Sequence, residues 1–260
     1  MDGFWLIVAV AGAAAVASPV GGIIAVLVPT STLFLSIAVG MAGGILMGTL
    51  AFEMLPTALE NLAVWLVVLA CAVGFALTYG LELIVNRGRV AGPAAAQQSK
   101  VQRFHRRNRP FGTQVTVLAA ATAIEELIEG LSIGVGGAIG TGTALVIGVA
   151  ICIDNVSEAL SIGALAREQE GDEGKGKRQT LFWTTAIGVS LFASAMAGWF
   201  LLQGVPLEVL AFLLALGGGA MFYLTVTDLL PNAEQHQYQQ SSAWAALAGF
   251  LIAFILSQWN

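Results

Sequence analysis

The sequence predicts an all-α membrane protein, a single transmembrane domain over residues 1–260 with eight spanning helices. Three observations lead there. Only 10% of the residues are charged, 57% are hydrophobic and the mean hydropathy is +0.82, whereas soluble domains run at about a quarter charged. Apolar runs recur along the whole chain, each near the roughly 20 residues that cross a hydrocarbon core. The eleven Lys and Arg are confined to two stretches, 87–109 and 167–178, which an eight-helix count puts on one side of the membrane. In lipid every backbone polar group must be paired internally, so only helices or a closed barrel are available. These runs are too long and too continuously apolar for barrel strands.

Helix one is expected over about residues 4–28. Its start loosely imitates a secretory signal, but it lacks a basic beginning and stays apolar through Val28, so it reads as the first span. Helices two and three follow at about 33–57 and 61–85. Residues 86–112 then form a flexible basic linker, with Gly92-Pro-Ala-Ala-Ala-Gln-Gln-Ser at its centre. Helices four and five cover about 113–136 and 142–166. A short charged loop extends to about 179, and helices six, seven and eight occupy about 180–203, 207–230 and 241–258. The positive-inside rule places the two basic stretches in the cytoplasm and both termini outside, in a plasma (inner) membrane. With no aromatic residues interleaved through the linker, topology and not nucleic-acid binding explains its charge.

Two sequence echoes suggest internal symmetry. Helix two ends Glu53-Met-Leu-Pro56 after Gly40-Met-Ala-Gly-Gly44, and helix seven ends Asp228-Leu-Leu-Pro231 after Gly217-Gly-Gly-Ala220. These like segments stand symmetrically about helices four and five. The expected plan is therefore three helices, two and three, with helices 1–3 and 6–8 as inverted repeats around the central pair. The second echo joins the central helices: Glu129-Gly-Leu-Ser132-Ile-Gly in one and Glu158-Ala-Leu-Ser161-Ile-Gly in the other.

The central helices also carry acids where a membrane helix normally has none. Residues four apart share a helix face, which pairs Glu125 with Glu129 and Asp154 with Glu158. If the two helices align, these four form one cluster, and Glu126 and Asn155 form a neighbouring one bridged by Glu129 or Glu158. Ser132 and Ser161, one turn on, would supply supporting hydrogen bonds, and Gly130 and Ala159 would let the two backbones approach. A lone charge at mid-membrane costs about 2.5–3.5 kcal/mol even on the lenient insertion scale. No Lys or Arg falls within the expected helices, so protons or a cation must neutralise the acids, and a metal entering would displace protons. Glu53 and Asp228 lie near helix ends and, with Ser132 and Ser161, are candidates for a pathway or gating role, that of Asp228 resting on its match to Glu53. His105 and His236 fall in loops, and Cys71 and Cys152 read as small buried hydrophobes.

In these residues the chain resembles the ZIP (Zrt-, Irt-like) divalent-metal transporters, and the likeness covers nearly its whole length. The helix-four motif of that family is similar to His-Asn-x-Pro-Glu-Gly, and the aligned stretch here is Glu125-Glu126-Leu127-Ile128-Glu129-Gly130. The companion motif in helix five is Asp154-Asn155-Val156-Ser157-Glu158-Ala159. The resemblance implies a binuclear metal site at these positions, in the moving or lining bundle. Both first-position histidines are replaced, by Glu125 and Asp154, and both motif prolines are absent, as Ile128 and Ser157. The remaining ligand set is almost wholly oxygen, which suits manganese, iron(II), magnesium or calcium and also accommodates zinc. The expected function is transport of a divalent metal cation, with no enzyme activity and no cofactor beyond the metal carried. A proton-coupled carrier or antiporter whose acids titrate without binding metal is the alternative. An intramembrane hydrolase would want a His-rich metal site or a Ser/Lys or Asp dyad, which the sequence lacks. Monomer and homodimer are both compatible with the sequence.

Overall fold

The computed structural model describes residues 2–28, 31–85, 114–169, 173–234 and 238–258. The linker at 86–112, His105 and His236 lie outside the described residues. Among those residues all regular structure is helical. In chain order, α1 is Asp2–Leu27. Helix α2 is Thr32–Thr49, continuing through a π-helical turn, Leu50–Met54, into Leu55–Asn61. Then come α3 (Val64–Val85), α4 (Gln114–Ile139), α5 (Thr141–Gln169) and α6 (Glu173–Leu201). Helix α7 is Leu207–Leu224, continuing through a second π-helical turn, Thr225–Leu229, into Leu230–Glu234. Helix α8 is Gln239–Ser257.

Seven of these are long and apolar enough to cross a membrane, so the chain is a multi-pass membrane protein. The exception is α4. At 26 residues it has ample length, but every membrane-thick stretch of it includes Glu125, Glu126 and Glu129.

Two helix boundaries differ from the sequence expectation. Helix α5 runs on to Gln169 and α6 begins at Glu173, so most of the expected charged loop is helical. Arg167, Lys175, Lys177 and Arg178 therefore belong to helices after all. All four are exposed and stand at helix ends, where long basic side chains reach the interface. The mixed charges of this stretch are individually good helix formers, which is why a polar composition did not end the helix.

The helices pair according to where the small residues lie. Helix α2 packs chiefly on α8, α3 on α7, α1 on α5 and α6, and α4 on α6, while α2–α5 and α4–α7 contacts join the two groups. The α2–α8, α1–α5 and α4–α6 pairs run parallel, and α1–α6 runs antiparallel. On α2 and α8, Gly40 meets Ser242, Gly44 meets Ala246 and Gly48 meets Phe250 and Ala253. On α1 and α5, Gly148 meets Val10, Gly21 meets Val156 and Ala159, and Gly163 meets Ala25. On α4 and α6, Gly130 meets Leu191 and Ser194, and Gly134 meets Ala195 and Gly198. Helices close on one another in lipid through such small residues, where backbones gain dispersion contact. Gly12, by contrast, has nothing within 4 Å of an added Cβ. Gly12→Ala should leave the thermal unfolding midpoint in detergent unchanged or raised, by up to ~1 kcal/mol of helix propensity. A lowered midpoint would contradict this placement of α1.

The two π turns occupy matching places. Leu50–Met54 and Thr225–Leu229 each follow an 18-residue helix and lie 175 positions apart, as do Pro56 and Pro231. In each, the N–H just after the turn reaches back five residues, from Leu55 to Leu50 and from Leu230 to Thr225. A proline ring in a helix clashes with the carbonyl four residues earlier, and the wider π turn just before each proline eases that clash while keeping the rod continuous. The main core lies where the rods cross, with Ile45, Leu46, Met54, Ile133, Ile147, Ile151, Leu191 and Leu214 all buried.

Candidate metal site

Helices α4 and α5 are joined at Gly140 alone and pack directly on one another. Their acids face this contact and the neighbouring helices. Glu126 and Asn155 are fully buried, Asp154 is 2% exposed and Glu129 is 4% exposed, while Glu125 and Glu158 are half-buried. The six expected ligands are gathered at one level of the bundle. Glu129 and Asp154 lie within hydrogen-bonding reach across the α4–α5 contact. Glu158 is close enough to interact electrostatically with Asp154, Glu125, Glu126 and Glu129.

Several of these groups are buried without a hydrogen-bond partner: both carboxylate oxygens of Glu126, Oδ1 of Asp154, Oδ1 of Asn155 and Oγ of Ser157. Buried polar oxygens normally find partners, and each exception calls for an explanation. A side-chain charge left alone in hydrocarbon is costly. The basic side chains among the described residues stand exposed at the ends of α5 and α6, remote in sequence from the acids' level. The arrangement is thus a cluster of oxygen donors near one another, several of whose oxygens are buried without a partner. Among the described residues, no three His, Cys, Asp or Glu side chains converge on one point in metal-ligating geometry. The acids are neighbours, not a closed chelate.

Other expected roles are redistributed. Ser132 donates to the Ile128 carbonyl at 2.9 Å and Ser161 to the Ser157 carbonyl at 3.0 Å, each one turn back on its own helix. Their hydroxyl protons therefore serve the backbone and not the acids, because a serine in a helix always has that carbonyl within reach. Gly130 and Ala159 do not bring α4 and α5 together. Gly130 admits α6, and Ala159 faces Gly21 of α1. Helical faces explain this: Gly130 lies four residues after Glu126 and Ala159 four after Asn155, on the faces turned to α6 and α1 respectively. Glu53 is buried, 4% exposed, within the π turn of α2. Asp228 is half-buried in the matching turn of α7 and interacts electrostatically with Asp154. An open, largely apolar groove along Arg178, Phe182, Ala186 and Val189 on α6 includes none of the acids.

Three interhelix hydrogen bonds around the acids were not foreseen. Ser194 of α6 donates to the Glu126 carbonyl at 3.1 Å and to its own Leu191 carbonyl at 2.9 Å, and Ser190 donates to the Ala123 carbonyl at 3.2 Å. On the other side, Asn155 Nδ2 donates to the Ala14 carbonyl of α1 at 3.0 Å. The serines' spacing of four residues on α6 was the available signal. It was overlooked because serines in an apolar helix usually bond only their own backbone.

No protein-family model matches the chain. Among curated proteins it is similar to the zinc transporter ZupT of Corynebacterium glutamicum, with 28% identity over 252 residues, covering 93% of this chain and 94% of the relative. The similarity spans both proteins almost end to end, and the paired acid motifs of α4 and α5 resemble those of the ZIP family with the motif histidines replaced.

Proposed function

We propose that this chain is a secondary transporter that carries a divalent metal cation across the membrane between α4 and α5. One observation supports the reading above others: Glu126, Asp154 and Asn155 bury unpartnered oxygens side by side in a lipid-embedded core. A doubly charged ion accepts such donors and offsets their charge. Glu125, Glu126, Glu129, Asp154, Asn155 and Glu158 are the ligand set of this site, which is binuclear if it takes two ions. Glu53 and Asp228, one on each π turn, line the approaches. The relative's name points to zinc. The all-oxygen donor set adds iron(II) and manganese as substrates.

The proposed architecture is eight spans, with α4 as the eighth, in a three-two-three plan. The pairing of α2 with α8 and of α7 with α3, and the 175-residue offset of the π turns and prolines, support inverted repeats of α1–α3 and α6–α8. In this topology the basic linker is cytoplasmic, the α4–α5 link is outside and both termini are outside. A cysteine at Gly140, in protein freed of Cys71 and Cys152, should react with an impermeant thiol reagent from outside intact cells. A cysteine at Ala95 should react only after permeabilisation. The opposite pattern would reverse the assigned orientation.

Uptake of a divalent metal into vesicles containing the purified protein tests the function itself. Saturable uptake absent from protein-free vesicles is expected, and its absence for zinc, iron(II) and manganese alike would refute the reading. That no three acids converge among the described residues favours one second reading, a proton-coupled carrier that holds no metal. Calorimetric titration separates the two, since the carrier would give no heat of metal binding.

A further inference from the structure

We infer that Ser194, on α6, is a positioning residue for the cation site, acting through the backbone of Glu126. This inference rests on the transport reading and adds α6 to a site otherwise built from α4 and α5. The Ser194 hydroxyl shares its proton between the Leu191 carbonyl and the Glu126 carbonyl. It is therefore an interhelix bond made to the very residue whose two carboxylate oxygens are buried and unpartnered. Ser194 is itself buried, 6% exposed, so water does not compete for the bond. Gly130 makes the approach feasible, since a Cβ there would stand 1.9 Å from Ser194 Oγ.

The corresponding position on α5 is also tied outward. Glu126 and Asn155 hold the same place in their motifs, 29 positions apart, as do Glu129 and Glu158. Asn155 is bonded to the Ala14 carbonyl of α1 at 3.0 Å. Each central helix is thus fastened to its flanking helix at its second motif residue, by a serine on one side and by the amide itself on the other. A donor held from behind loses less freedom when it grips an ion, and residues behind metal ligands typically change affinity by about 10–100-fold when removed. Ser190 provides an internal control. It makes the same kind of bond from the same helix, one turn earlier, to Ala123, which bears no ligand.

The test is calorimetric titration of the purified full-length protein with Mn²⁺ and with Zn²⁺, alongside thermal unfolding of the metal-free protein. For Ser194→Ala, cation affinity should fall about tenfold or more, as expected when a group behind a ligand is lost, and Ser190→Ala should bind as the parent does. Both variants should unfold within a few degrees of one another, each having lost one comparable hydrogen bond. Equal affinities for Ser194→Ala and the parent, or equal losses in both serine variants, would overturn the inference. Failure of the parent to bind either cation would instead overturn the transport reading on which it stands.

Discussion

Replacing Glu129 and Glu158 together by alanine should abolish saturable metal uptake into vesicles, lowering it at least ~100-fold, beyond the 10–100-fold typical of groups that merely support a ligand. Glu129 is buried and within reach of Asp154 across the α4–α5 contact, and Glu158 interacts with four of the other acids. The pair therefore contributes a donor from each central helix at the level where the unpartnered oxygens of Glu126 and Asp154 collect. Removing them takes two of five carboxylates from a site with no imidazole to compensate. The folded protein should still accumulate, because replacing these acids by alanine removes groups that are costly to hold in lipid and leaves the apolar core intact. Retained uptake in the double variant would remove these residues from the pathway.

The largest effect on stability should come from the glycines at the paired crossings. In Gly44→Val the new Cβ would lie 2.0 Å from the Ala246 carbonyl oxygen and 2.8 Å from its Cα. In Gly219→Val it would lie 2.1 Å from the Cys71 carbonyl oxygen. The obstructing atoms are backbone, so no side chain can swing aside, and α2 must separate from α8 or α7 from α3. Overpacking a well-packed core costs about 1–3 kcal/mol, and forcing two rods apart along their length should exceed that. Each variant should give a lower thermal midpoint than Gly12→Val, and little monodisperse protein after extraction. Gly44 and Gly219 stand 175 positions apart, so the two effects should be similar. A variant as stable as the parent would mean that the corresponding pair of helices does not touch there.

Much of this was legible in the sequence because lipid imposes strict rules. Apolar length marked the helices, and the absence of basic residues near Asp154 and Glu129 marked those acids as needing another partner. The echo of Glu53 to Pro56 in Asp228 to Pro231 also marked the two segments that prove alike in structure. What the sequence concealed was the direction of each helix face. Gly130 reads as a gap for α5 but serves α6, because it lies on the side of α4 that packs against α6. The π turns were equally hidden, since a five-residue reach depends on a carbonyl register that composition does not encode. The helical start of α6 at Glu173 lies in a stretch whose charge suggests a loop, although glutamate, lysine and arginine favour helix.

The most direct measurement is the metal content of the purified protein after dialysis against a mixture of Zn²⁺, Fe²⁺, Mn²⁺ and Mg²⁺, compared with the Glu129→Ala, Glu158→Ala double variant. If the buried oxygens between α4 and α5 hold the substrate, the parent should retain one or two divalent ions per chain and the variant none. A parent that emerges metal-free, or a variant that retains as much as the parent, would contradict the account.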